Sequence, residues 1–138
     1  IQMIEKSGYE PDLLVLLQPT SPFRTGSQIK EALQLFDCTC DMVVSVKETC
    51  VNPYYVLFEE NSEGWLEKSK KGDFATRQDC PAVFELNGAI YILSVSLIKE
   101  KPISQFTRIK KYVMDDWSSH DIDTELDWLI AELLAQRI

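Results

Sequence analysis

Five consecutive aliphatic residues, Leu13 to Leu17, run directly into a loop that two prolines stiffen, and this junction constrains the fold more than any other feature. An unbroken Leu/Val run bounded by proline is typical of a strand buried on both faces inside a parallel sheet covered by helices. In open α/β sheets, ligands bind just beyond the carboxyl ends of such strands. The loop therefore predicts a site for a polar small molecule. Its hydrogen-bonding candidates are Gln18, Thr20, Ser21 and Arg24.

The composition is that of an ordinary globular domain, with 138 residues of which 45% are hydrophobic and 26% charged. This length is enough to bury a substantial core. No apolar run approaches the roughly 20 residues that cross a bilayer, and the first residues lack the ordered regions of a signal peptide. The net charge of −8 argues against a nucleic-acid partner, which would need a basic face. We therefore expect a cytoplasmic protein with neither a membrane nor a nucleic-acid partner.

The four cysteines match neither a disulfide framework nor a zinc site. Cys38 and Cys40 are only two positions apart, no second close pair follows, and His120 is the single histidine. Reduced thiols in a reducing compartment are the prediction.

The order of apolar segments predicts an α/β fold. The end of a helix at Gly8, a strand at 13–17, a helix over 28–37 and a strand at 41–46 come first, followed by a strand at 87–93, a short helix at 95–100, a strand at 109–114 and a helix over 124–137. A strand-helix-strand unit places its two strands parallel. Thr124 and Asp127 form a capping-box pattern at the start of the last helix.

The segment 52–85 interrupts this order and predicts an excursion from the main sheet. Tyr54 to Phe58, a polar turn at 61–64, and Trp65 to Glu67 form a hairpin signal. A hairpin alone is marginal in water. Either a partner subunit or the rest of the domain could cover its aromatic residues.

Asp121 and Asp123 form a second candidate site. Two carboxylates separated by one residue in extended chain point to the same side and can converge on a hard cation such as Mg²⁺, which prefers oxygen ligands. The alternative is that these residues serve only the start of the following helix, where acidic groups are favoured.

Weaker signals come from two other segments. Gly88, after Asn87, would allow a backbone to approach a ligand closely, or would mark a bulge. Arg77 and Gln78 offer donors suited to a carboxylate. The five glycines are scattered, and none forms a phosphate-cradling loop.

Four segments together resemble the acylneuraminate cytidylyltransferases, the CMP-sialic acid synthetases. They are 16–24, 41–46, 87–91 and 121–127, in that order and roughly at that spacing. The resemblance implies a three-layer α/β/α, Rossmann-like nucleotide-diphospho-sugar transferase fold. It also implies a single, partial domain over 1–138, a homodimer, and a protruding β-hairpin dimerisation arm at 52–85.

The resemblance further implies the transfer of CMP from CTP to an acidic nine-carbon sugar, a sialic acid or related nonulosonic acid, with release of pyrophosphate. Asp121 and Asp123 would be the catalytic, Mg²⁺-binding pair. The residues that match substrate-binding positions are Gln18, Pro19, Thr20, Ser21, Arg24, Arg77, Gln78, Asn87 and Gly88.

The family's amino-terminal loop of glycine, arginine and lysine, which grips the CTP triphosphate, has no counterpart in these residues. We therefore expect a carboxyl-terminal portion of such an enzyme that is inactive alone. The alternative is a non-catalytic sugar-binding or dimerisation module derived from the same fold.

Overall fold

The computed structural model describes residues 5–137, and the chain divides into two compact units. One unit comprises the described residues of Ile1–Lys47 and Leu86–Ile138, and the other is Glu48–Glu85. Much of the predicted helix end before Gly8 lies outside the described residues. Gly8 itself has a φ of +83°, and its amide donates to the Glu5 carbonyl at 2.9 Å, so it ends a turn.

The larger unit contains a four-stranded mixed sheet in the order β1-β5-β2-β6. β1 (Leu13–Leu16) runs antiparallel to β5 (Phe84–Ser94), and β2 (Met42–Glu48) runs parallel to β6 (Ile109–Val113). The helices are α1 (Gly26–Gln34), α2 (Val95–Glu100) and α3 (Glu125–Ala135). The fold is therefore mixed α/β, as the sequence predicts.

The core explains why β2 is apolar from Met42 to Val46, apart from Ser45. Val43 enters one hydrophobic cluster, which Leu33 of α1 packs against. The neighbouring Val44 enters a second cluster, which Leu97 of α2 packs against. Successive side chains of a strand point to opposite faces, so both faces of β2 are covered.

The prediction that the first strand lies inside a parallel sheet is wrong. β1 pairs antiparallel with β5, which lies between β1 and β2, and no second described strand pairs with it. Its residues are half-buried, and Leu16 is exposed. The aliphatic run reflects side chains divided between two clusters, since Leu13 and Val15 contact one and Leu14 the other. The pattern of apolar residues in a strand indicates which of its faces are covered. It does not indicate which strands lie beside it.

The helix signals are confirmed more closely. α3 begins after Thr124, whose hydroxyl accepts from the Asp127 amide while the Asp127 carboxylate accepts from the Thr124 amide. α1 begins two residues earlier than predicted because Thr25 and Gln28 form another capping box. These reciprocal bonds satisfy amides that a helix start leaves without partners.

The Glu48–Glu85 unit contains the predicted hairpin, with β3 (Phe58–Glu60) antiparallel to β4 (Leu66–Lys68). The predicted strand from Tyr54 is a turn up to Leu57. Asn52 causes this, because its side-chain oxygen accepts from the Tyr54 amide and its carbonyl accepts from the amides of Tyr55 and Val56.

Within residues 5–137, no helix is both long enough and apolar enough to cross a membrane. The cysteines are free thiols: Cys38 and Cys50 are exposed, Cys80 is half-buried and Cys40 is buried.

Asp41, at the start of β2, is buried and heavily bonded. Its carboxylate accepts the Thr107 amide at 3.2 Å and the Arg108 guanidinium at 2.9 and 2.7 Å. The Thr107 amide and then the Arg108 side chain hold the pKa of this carboxyl well below its usual range. A carboxyl whose pKa is lower in the folded state stabilises the fold above about pH 4, and this contribution is lost as the pH falls through the folded-state pKa.

We expect Asp41→Asn to lower the melting temperature by more than about 5 °C at pH 7, because the buried side chain loses the charge that strengthens its bonds to the Thr107 amide and the Arg108 guanidinium. The difference from the unsubstituted protein should shrink below about pH 4. The matched control is Asp37→Asn. Lys110 and Thr39 also hold the pKa of the Asp37 carboxyl well below its usual range, but the side chains of Asp37 and Lys110 are 49% and 39% exposed, so solvent screens this pair and it contributes little. Thermal unfolding from pH 3 to 7 checks this, and an equal effect of both substitutions would contradict it.

Candidate functional site

Gln18 and Gly88 meet where β1 ends. The antiparallel register pairs Leu16 with Tyr91, and its continuation brings Gln18 beside the Gly88 backbone. Gly88 has a φ of +72°, in the left-handed region that favours glycine. A Cβ built on Gly88 would lie 2.1 Å from Gln18 Oε1. The absence of a side chain at this position therefore makes room for the Gln18 carboxamide.

Asp121, although distant in sequence, also lies beside Gly88. Its Oδ2 lies 3.6 Å from the position a Cβ on Gly88 would take. Its Oδ1 accepts a hydrogen bond from the buried Ser21 hydroxyl at 3.1 Å, and the Ile122 amide donates to the Thr20 carbonyl at 3.0 Å. The loop after β1 and the segment before α3 are thus bonded together, and the structure unites Gln18, Gly88 and Asp121.

Arg24 supports this loop from within. Its Nη1 donates to the Ser21 carbonyl at 2.7 Å and to the Gln18 carbonyl. Pro19 is exposed and Thr20 is half-buried. Of the sequence-predicted loop residues, Gln18 has its side chain at the cluster, whereas Arg24 bonds to the loop's own backbone.

Asn87 is buried and its carboxamide is committed to the protein. Its Oδ1 accepts from the Ser45 hydroxyl at 2.5 Å and from the Ala89 amide at 3.3 Å, while its Nδ2 donates to the Ser119 hydroxyl at 2.8 Å. Sequence reasoning missed Ser45 and Ser119. The available signal was a serine inside the apolar run of β2, because a buried hydroxyl needs a partner.

The two aspartates differ in surroundings. Asp121 is half-buried and Asp123 is exposed. No described residue donates a hydrogen bond to Asp121 Oδ2, and no group of three or more metal-ligating side chains occurs among residues 5–137. Mg²⁺ usually binds one or two carboxylates and completes its shell with water and substrate phosphates. A magnesium ion would therefore not need a complete protein cage, and the assignment of Asp121 and Asp123 as its ligands stays a prediction.

Arg77 and Gln78 lie in the Glu48–Glu85 unit, where they form the start of a single 3₁₀ turn, Arg77–Asp79. They line a groove of about 480 Å³. The Arg77 guanidinium donates to the Cys50 sulfur at 3.1 Å. Their prediction as substrate-binding residues stays a prediction.

The Gln18–Gly88–Asp121 cluster combines three chemical features. A carboxamide can donate to and accept from a polyol, the bare glycine lets that carboxamide lie against the backbone, and a carboxylate can bind a cation. No side chain in it is a nucleophile paired with a base. The arrangement suits a reaction in which the protein positions substrates and neutralises charge.

Comparison with known proteins finds no matching family model but several relatives. The chain is 31% identical to the post-translational flagellin modification protein B of Campylobacter coli over 124 residues, covering 89% of the chain and 52% of that protein. It is 30% identical to the CMP-N,N'-diacetyllegionaminic acid synthase of Legionella pneumophila over 126 residues, covering 91% of the chain and 54% of that enzyme. An N-acylneuraminate cytidylyltransferase of Streptococcus agalactiae is 36% identical over 129 residues, with 89% and 30% covered.

Two of these relatives are named as a CMP-sugar synthase and a cytidylyltransferase, so the chain is similar to nucleotidyltransferases of the cytidylyltransferase class, and its mixed α/β fold is consistent with that class. The chain belongs to the acylneuraminate cytidylyltransferase family, which confirms the resemblance in the four sequence segments. It spans about half the length of the first two relatives.

Proposed function

We propose that the chain forms the sugar side of an enzyme that transfers CMP from CTP to a sialic acid or related nonulosonic acid and releases pyrophosphate. The observation that carries this proposal is the seating of the Gln18 carboxamide against Gly88, beside Asp121. The family supports the chemistry, since its named members include a CMP-diacetyllegionaminic acid synthase and an N-acylneuraminate cytidylyltransferase.

In this proposal Gln18 binds the sugar and Gly88 forms the floor of the pocket. Pro19 and Thr20 shape the wall, while Ser21 and Arg24 hold the loop. The anomeric hydroxyl of the sugar attacks the α-phosphorus of CTP in line, and pyrophosphate leaves. The protein contributes position and charge neutralisation. A three-layer, Rossmann-like arrangement of the complete enzyme is part of the proposal.

Asp121 and Asp123 would hold Mg²⁺, which supplies charge neutralisation at the phosphates of CTP. Ser21 supports this assignment, because its hydrogen bond to Oδ1 orients Asp121 and leaves Oδ2 without a described donor. Partners of this kind that fix a ligand's orientation are typical of metal sites.

The 138 residues alone should have little or no transferase activity. None of the five glycines forms a phosphate-cradling loop, so these residues do not supply that means of binding the triphosphate. A second candidate function, a non-catalytic sugar-binding or dimerisation module, would keep the Gln18 pocket without turnover.

The test is an assay of the complete protein with CTP, Mg²⁺ and a panel of nonulosonic acids, with chromatographic detection of CMP-sugar and a coupled measurement of pyrophosphate. We expect one acid to give both products in equal amounts. Binding of an acid without any product would favour the module, and neither binding nor product would contradict both proposals.

We also propose that the Glu48–Glu85 unit mediates a homodimer. Phe58, Trp65 and Leu66 of the hairpin are exposed, Trp65 and Leu66 at 69% each. A short hairpin with exposed apolar side chains is marginal by itself, and burial of that surface would stabilise it.

Leu66→Ser should therefore shift the protein from dimer to monomer by at least tenfold in dissociation constant, because large apolar side chains dominate such interfaces. Light scattering coupled to gel filtration measures the mass. The matched control is Tyr9→Ser, which removes a large exposed side chain of similar exposure, 64%, outside the Glu48–Glu85 unit and should leave the mass unchanged. A dimer insensitive to Leu66→Ser, or disrupted equally by the control, would contradict the assignment.

A further inference from the structure

Ser45 lies on β2 and bonds to β5 on both sides of Gly88, to the Asn87 side chain on one side and to the Ile90 backbone on the other. The side chain is fully buried. Its hydroxyl donates to Asn87 Oδ1 at 2.5 Å, has the Ile90 carbonyl oxygen as a second, longer acceptor at 3.2 Å, and accepts from the Ile90 amide at 2.7 Å. Asn87 immediately precedes Gly88, and Ile90 follows it by two residues. One hydroxyl therefore fixes the segment in which Gly88 has its positive φ.

Ser119 holds the other end of the same carboxamide. It is buried, and its hydroxyl accepts from Asn87 Nδ2 at 2.8 Å. Ser119 is two residues before Asp121. The Asn87 side chain therefore links β2 and β5 to the segment that carries the carboxylate.

The position of Gln18 depends on this arrangement. Its Oε1 occupies the space that a side chain at residue 88 would fill. Rotation of the Gly88 peptide would move that space. A buried polar network in which every member is satisfied fixes one conformation, and no described buried side-chain nitrogen or oxygen lacks a partner.

We propose that Ser45 and Ser119 are positioning residues of the sugar pocket, acting through Asn87 to set the Gly88 backbone and thereby the Gln18 carboxamide. They touch no substrate themselves. This inference rests on the proposed function for its kinetic consequence. It assigns Asn87, predicted from sequence to bind substrate, to the support of the pocket instead.

The first test is kinetic and uses the complete protein. Ser45→Ala and Ser119→Ala should each lower kcat/KM for the sugar by about 10- to 100-fold, mainly through a higher KM, with the KM for CTP changed less than twofold. The matched control is Ser118→Ala. Ser118 is equally buried but bonds to Gln28 and Asp115, and its loss should leave the sugar KM within twofold.

A double-mutant cycle separates positioning from general damage. Because the Ser119 hydroxyl bonds to the Asn87 side chain, Ser119→Ala combined with Asn87→Ala should be no worse in sugar KM than Asn87→Ala alone. Ser45 also bonds to Ile90, so Ser45→Ala combined with Asn87→Ala should lose less than the sum of the two single losses. Additive losses, or an equal loss in Ser118→Ala, would overturn the proposal. Ser119→Ala keeps the test decisive if Ser45→Ala does not fold.

A second readout needs no activity. The Gln18 side-chain amide signals in a ¹⁵N-correlated NMR spectrum, assigned by Gln18→Glu, should shift in Ser45→Ala and stay in place in Ser118→Ala. If they shift while the unsubstituted protein makes no CMP-sugar, the proposed function fails and the positioning of Gln18 by Ser45 stands. If they stay in place, that positioning role fails whatever the enzyme's activity.

Discussion

Gly88→Ala is expected to reduce kcat/KM for the sugar by roughly 100-fold or more. The added Cβ would lie 2.1 Å from Gln18 Oε1 and 3.6 Å from Asp121 Oδ2, so the Gln18 carboxamide must move away from residue 88. A flexible side chain can move at little cost to folding. The fold should therefore lose only about 1 kcal/mol, from placing alanine at positive φ, and steady-state kinetics with thermal unfolding separates the two effects.

The matched control is Gly64→Ala in the turn between β3 and β4. Gly64 has nearly the same φ, +84°, but no atom within 4 Å of a built Cβ. It should show the same small loss of stability with unchanged sugar kinetics. If Gly64→Ala impairs the kinetics equally, or if Gly88→Ala leaves them intact, the seat at Gly88 is not part of the sugar pocket.

Asp121→Asn should lower turnover by roughly 100-fold or more and raise the Mg²⁺ concentration that gives half-maximal activity, with little change in unfolding temperature. Asparagine keeps an oxygen that can accept from the Ser21 hydroxyl, so the local bond to the loop survives while the charge is lost. Asp123→Asn should act in the same direction. A magnesium titration of each variant measures the effect.

Asp116→Asn serves as the control, because Asp116 is a nearby exposed carboxylate. Its turnover and magnesium dependence should stay within twofold of the unsubstituted protein. An unchanged magnesium dependence in both Asp121→Asn and Asp123→Asn would contradict the metal assignment. It would favour the alternative, in which these residues serve only the start of α3.

Most helices and strands of the fold could be predicted from patterns among residues close together in the sequence. The Thr124–Asp127 capping box located the start of α3 because the bonds it predicts lie within one turn. The partners of β1 could not be predicted in this way, since a strand's neighbours depend on contacts far along the chain. The turn over 54–57 was missed for a related reason: aromatic content favours a strand, but the side chain and carbonyl of Asn52 capture the following amides.

The candidate site was predicted in outline. Gln18 was found because polar residues after a buried strand indicate a ligand site, and Gly88 because glycine permits close approach. The inward orientation of Asn87 was not predictable, since it depends on Ser45, 42 residues away. A buried polar residue can be predicted only when the positions of its hydrogen-bond partners in the fold are known.

The most direct test of the central claim is a crystal structure of the complete protein with its CMP-sugar product and Mg²⁺. The account predicts the sugar in contact with the Gln18 carboxamide and the Gly88 backbone, with the carboxylates of Asp121 and Asp123 on the metal. A product bound without contact to Gln18 or Gly88, or a metal held without either aspartate, would contradict it.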